Sequence, residues 1–116
     1  MSTKLVEKPW GNELIWAVTD RYVGKILHIR EGESLSLQYH QRKDETIMVL
    51  HGRMSLVTYE DGAEPHTREL GPRVPVHITP GLRHRMTALE DTDVVEVSTP
   101  ELDDVVRLED RYGRAT

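Results

Sequence analysis

Four residues have the types and spacing of a metal-binding set: Gln38, His40 and Glu45 within "GESLSLQYHQRKDETIMVLHG" (residues 32–52), and His84 within "ITPGLRHRMTAL". On an extended strand, residues two apart point the same way. Ser34, Ser36, Gln38 and His40 are therefore expected on one face, with Leu35, Leu37 and Tyr39 on the other. Glu45 opens the next strand with Ile47 and Val49 on its side, and His84 shares a face with Met86 and Ala88. Such companions turn a carboxylate and an imidazole toward an interior, where an ionised group needs a partner. Two imidazoles, one carboxylate and one amide oxygen form a nitrogen–oxygen donor set. It suits one divalent ion, zinc first, with manganese, iron, cobalt or nickel as alternatives, and does not suit copper(I).

The elements that must position these donors are short strands. Period-2 segments recur along the chain with turn signals between them, and no long stripe of helical period is present. Eight strands are expected, in "NELIWAV", "YVGKILHIR", "SLSLQYH", "ETIMVLH", "RMSLVTY", "VPVHIT", "HRMTAL" and "DVVEVS". Eight short antiparallel strands predict an all-β jelly roll or sandwich. The polar stretch at residues 60–75 reads as the least ordered part, and the tail after Pro100 reads as a helical turn that docks on the barrel through Val105, Val106 and Leu108.

A chain of 116 residues fits one domain spanning 1–116. It contains no Phe, so its core is expected to be aliphatic, with Trp10 and Trp16 as the large pieces. A net charge of -5 with mixed signs argues against nucleic acid as a partner, and zero cysteines exclude disulfides and thiol chemistry. The N-terminus lacks an apolar leader and no apolar run is long enough to span a bilayer. The expectation is a cytoplasmic protein with no membrane partner.

The order Gly32, Gln38, His40, Glu45, Gly52 resembles the first cupin motif, and "PGLRH" resembles the second. Glutamine at the first ligand position, preceded by "LSL", is similar to the mannose-6-phosphate isomerase branch of the cupins. "KPWGNE", "GKIL" and the closing "EVSTPELDDVVRLEDRYGR" agree with that branch, so the resemblance covers nearly the whole chain. It implies a double-stranded β-helix with Gln38, His40, Glu45 and His84 as metal ligands. It further implies Glu96 as the catalytic base and Lys43, Arg107 and Arg114 as the groups that hold a sugar phosphate. Lys43 stands where the family usually has arginine, and Ala88 where it has asparagine.

The implied activity is a metal-dependent sugar-phosphate aldose–ketose isomerisation in carbohydrate metabolism. A base moves a proton between C1 and C2, and burial in an apolar barrel is expected to raise the pKa of that base. Two other readings stand beside it. One is a module that binds metal or sugar without turnover, favoured by the absence of a nucleotidyltransferase ahead of the domain. The other is a non-haem iron oxygenase, which Gln38 disfavours by filling an open position. Each residue also has a plainer reading: Glu96 as an ordinary strand residue, and Arg107 and Arg114 as salt-bridge partners of the acidic tail. His28, His51, His66 and His77 lack any constellation and read as structural or exposed. Trp10 or Trp16 could serve a homodimer.

Overall fold

The computed structural model describes residues 3–115. Its regular elements are all strands, and every pairing is antiparallel. The strands are β1 (Lys4–Lys8), β2 (Gly11–Val18), β3 (Val23–Ile29), β4 (Leu37–Tyr39), β5 (Glu45–His51) and β6 (Met54–Tyr59). They continue as β7 (His66–Leu70), β8 (Pro75–Ile78), β9 (Arg83–Ala88), β10 (Thr92–Ser98) and β11 (Val106–Glu109). Among the described residues no helix is long and apolar enough to cross a membrane.

Two sheets result, one in the order β1-β2-β3-β10-β5-β8 and the other in the order β11-β4-β9-β6-β7. From β3 onward the chain switches sheet at each connection except the β6–β7 hairpin, which is the winding of a double-stranded β-helix. The core lies between the sheets. Leu27, Ile47, Val49, Ile78 and Val94 come from one, and Met54, Leu56, Met86 and Ala88 from the other, all buried. It is aliphatic, as expected of a chain without Phe, with Trp10 as its one large aromatic.

The two motif glycines have different reasons to be glycine. Both adopt positive φ, Gly32 at 80° and Gly52 at 97°, a region costly for other residues. Beyond Gly32 there is open space, whereas a Cβ on Gly52 would lie 2.5 Å from the carbonyl oxygen of Asp91.

Four expectations are corrected. The alternation over 34–40 is interrupted: Ser34 makes an isolated bridge to Thr87, the regular strand begins only at Leu37, and Leu35 turns into the core. Among the described residues the tail contains a turn after Pro100 but no helix. It supplies β11, which pairs with the open edge of β4, while Leu108 stays exposed. The polar stretch at 60–75 contains β7, an ordered edge strand beside β6. Trp16 is 40% exposed and lies over Gly24, where a Cβ would meet its ring.

Candidate metal centre

Period-2 geometry delivers the donors from three strands and the turn between two of them. Glu45 is the first residue of β5, on the dry face with Ile47 and Val49, and His84 lies on the dry face of β9 with Met86 and Ala88. Gln38 on β4 is the direct register partner of His84, so their side chains emerge side by side on one face. His40 follows β4 immediately and is buried.

Donor atoms of His40, Glu45 and His84 all lie within 4.8 Å of one another, and all three residues are buried. Each histidine has its Nδ1 against a backbone carbonyl, His40 at 2.5 Å from that of Asp104 and His84 at 2.9 Å from that of Leu82. A carbonyl only accepts, so Nδ1 carries the proton and, in the neutral ring, Nε2 presents a lone pair. Both Nε2 atoms and Glu45 Oε2 are buried without a hydrogen-bond partner. His40 Nε2 and Glu45 Oε2 are 3.1 Å apart, close but not aligned as a hydrogen bond. Lys43 Nζ also lies 3.3 Å from Glu45 Oε2, and a proton on His40 or a bound cation relieves the remaining repulsion between the two facing acceptors. Metal–ligand distances of ~2.0–2.2 Å allow both atoms to reach one ion, so these residues fit a divalent metal.

Gln38 Oε1 accepts a hydrogen bond from Ser36 Oγ at 2.6 Å, which fixes the amide. Burial alone would lower the pKa of His40, but Glu45 beside it outweighs burial and raises it. For His84 burial prevails and favours the neutral ring. Burial works against the charge of Glu45 too, yet His40 and Lys43 hold its carboxyl below the usual range.

The centre opens onto a cavity of about 310 Å³ lined by Gln38, His40, Lys43, Glu96, Arg107 and Arg114 among others. Cross-strand register explains Glu96. Its row runs from Ile47 through Glu96 to Lys25 and Ile15 across β5, β10, β3 and β2, all facing inward. Glu96 is 4% exposed. Burial, followed by the charge of Glu45, pushes its pKa up, although Lys43 pulls the other way.

Lys43, expected to hold a sugar phosphate, lines the cavity but is engaged by two carboxylates. It is buried, with Nζ 3.0 Å from Glu96 and 3.3 Å from Glu45. Burial alone would favour its neutral form, but the two carboxylates hold its pKa above that of an ordinary lysine. Arg107 is the register partner of Gln38, on the other side from His84, and its buried Nε has no hydrogen-bond partner. The plainer reading of Arg107 as an ion-pair partner of the tail acids is not what the fold shows. It does hold for Arg114, which grips both carboxylate oxygens of Asp110 at 2.8 and 3.1 Å.

The cavity contains further basic groups that sequence reasoning missed: Lys4, Lys8 and Lys25, with Glu13 between the last two. A readable signal existed for Lys25, which shares its face with Leu27 and Ile29 as Glu45 does with Ile47 and Val49. Nothing comparable marked Asp104. Its carboxylate is pushed down to about 2, chiefly by the backbone N–H of Gln41 and then by those of Arg42 and Lys43.

A two-sheet barrel with a buried His–Glu–His cluster around its β4–β5 connection defines a cupin. Solved structures share the fold. Oxalate decarboxylase of Bacillus subtilis superposes with a TM-score of 0.78 at 14% identity, over 91% of this chain and 30% of that one. The capsular polysaccharide assembling protein CapF of Staphylococcus aureus gives 0.76 at 20% identity, over 93% and 34%. KdgF from Halomonas sp. gives 0.72 at 22% identity, over 89% and 91%.

Within the cupins, the chain belongs to the family described as mannose-6-phosphate isomerase C-terminal, which matches residues 2–110. Curated relatives include the mannose-1-phosphate guanylyltransferase of Escherichia coli K12, 34% identical over 94% of this chain. The xanthan biosynthesis protein XanB of Xanthomonas campestris is 32% identical over 94% of it. The chain spans only 23% of the length of each of these relatives.

Proposed function

We propose that the chain is a metal-dependent sugar-phosphate aldose–ketose isomerase, with mannose 6-phosphate and fructose 6-phosphate as the first pair to assay. The observation that carries this reading is the convergence of buried donor atoms of His40, Glu45 and His84, none of them in a hydrogen bond, beneath a cavity rich in basic side chains. Family membership and the names of the relatives direct the choice of sugar.

His40, Glu45 and His84 would hold the ion, with the Gln38 amide as fourth donor; when bound, it supplies Lewis-acid polarisation of a sugar oxygen. Glu96 acts as the base. It takes the proton from C2 of the aldose and returns it at C1, and its raised pKa brings it closer to the working pH. Lys43 holds the Glu96 carboxylate in place through the 3.0 Å contact. Arg107, which has no ion pair among the described residues, takes the phosphate, since a guanidinium matches phosphate oxygens in pairs. Arg114 joins it only by sharing itself with Asp110. The cavity volume falls at the lower end of small-molecule sites.

A second reading is a sugar-binding cupin without turnover, favoured by the engagement of Glu96 with Lys43. Deuterium exchange separates the two. In heavy water the metal-loaded isomerase incorporates deuterium at C2 of the aldose, and Glu96→Gln lowers exchange by ~10²–10⁴-fold while metal stays bound. Elemental analysis should find about one divalent ion per chain, most of it lost in His40→Ala or His84→Ala and less in Glu45→Gln. Tight sugar-phosphate binding without exchange across several metals would overturn turnover and leave the binding module. Full metal occupancy in both histidine variants would overturn the ligand set.

A further inference from the structure

Asp104 lies between β10 and β11, 64 residues beyond His40, and grips the β4–β5 connection at four points. Its carbonyl oxygen accepts the Nδ1–H of His40 at 2.5 Å. Its carboxylate accepts three successive backbone N–H groups, from Gln41 at 3.0 Å, Arg42 at 2.7 Å and Lys43 at 2.9 Å. The turn so held has His40 at one end and Glu45 at the other. Its conformation therefore sets the separation of the donor atoms, and the carbonyl sets the tautomer of the His40 ring.

We propose that Asp104 is a positioning residue of the metal centre: its carbonyl orients His40 and its carboxylate locks the turn at 41–43, so that His40 and Glu45 are preset for one shared ion. The inference rests on the metal reading above. A free turn would leave three backbone donors to solvent and the His40–Glu45 spacing to fluctuation, and outer contacts of this kind are worth about 10–100-fold in metal affinity. The rest of the tail is anchored elsewhere, by Tyr112 Oη on Glu33 and Arg111 on the carbonyl of Gly32. Asp104 and the tail's general docking are therefore separable.

The test measures zinc affinity of the whole chain by competition with a chromophoric chelator. Asp104→Ala is expected to bind zinc about 10–100-fold more weakly, and Asp104→Asn, which keeps one acceptor oxygen, less so. Tyr112→Phe loosens the tail at its other anchor and should keep wild-type affinity even where it lowers the melting temperature. In metal-free protein, amide exchange at residues 41–43 should accelerate in both Asp104 variants and not in Tyr112→Phe. If Asp104→Ala does not fold, Asp104→Asn carries the comparison. A folded Asp104→Ala that loses less than about tenfold of wild-type affinity overturns the inference, as does, where that variant does not fold, an Asp104→Asn with wild-type affinity. So does an equal loss in Tyr112→Phe, which would make the tail a general stabiliser. A wild type that takes up no zinc or other divalent ion overturns the metal reading and this inference together.

Discussion

Two clusters in the molecule have the same composition, one cation between two carboxylates, and different surroundings. Lys43 bridges Glu96 and Glu45 with each side chain less than a tenth exposed. Arg53 bridges Glu69 and Glu90 on the surface, each about half exposed. Water screens the surface cluster and pays little heed to its loss. In the interior no solvent replaces a missing partner, so removing the cation strands two carboxylates. Like chemistry is thus optional ornament at the surface and a structural requirement beside the cavity.

The largest effect that tests this contrast is Lys43→Ala. Breaking a buried pair costs about 3–5 kcal/mol, so urea unfolding should show a midpoint far below wild type, while Arg53→Ala lowers it only slightly. Equal responses would break the comparison. A smaller effect sharpens it: Lys43→Met combined with Glu96→Gln removes one stranded charge, and should be more stable than Lys43→Met alone by about 1–3 kcal/mol. The corresponding pair of changes at Arg53 and Glu69 should be additive.

Salt provides a milder test. At molar concentration, where the screening length is ~3 Å, the stability difference between wild type and Arg53→Ala should vanish, and that between wild type and Lys43→Ala should persist. Smallest is the intermediate case, Arg114–Asp110, in which the arginine is 25% exposed and the carboxylate covered. The hydrogen bond from Arg114 lowers the pKa of Asp110. A depressed carboxylate contributes stability that is full above the ordinary Asp value of about 3.9 and is lost as pH falls through the folded value. Melting temperature followed from about pH 5 downward should therefore drop more for wild type than for Arg114→Ala, with the two curves converging in acid.

Legibility followed the same division between dry and wet. Glu45 with Ile47 and Val49, and His84 with Met86 and Ala88, were readable because one face of each strand is fully dry and alternation reports it. Residues 34–40 were misread in part, since Leu35 enters the core where a regular strand would send it out. Trp16 is expected in the core because a chain without Phe has few large apolar pieces, but β2 carries apolar residues on both faces, so alternation does not tell which face is covered. Edge strands β7 and β11 were missed for a related reason. Neither has a dry face of its own, and β11 exists because β4 leaves an edge open that the tail can complete.

Strand period, a local property that a single chain segment displays, pointed to an antiparallel β architecture and composition to an aliphatic core, and motif resemblance pointed to the cupin fold and to four candidate donors. Tertiary structure alone decided what surrounds those donors. It committed Lys43 to two carboxylates and left Arg107 Nε without a hydrogen-bond partner among the described residues. It also drew Lys25 into the cavity wall and put Asp104 on the turn between His40 and Glu45. The physical reason is that alternation shows which side of a strand a residue faces, whereas its partners are set by register across strands distant in sequence. The energy of a charge depends on those partners and on the water they exclude.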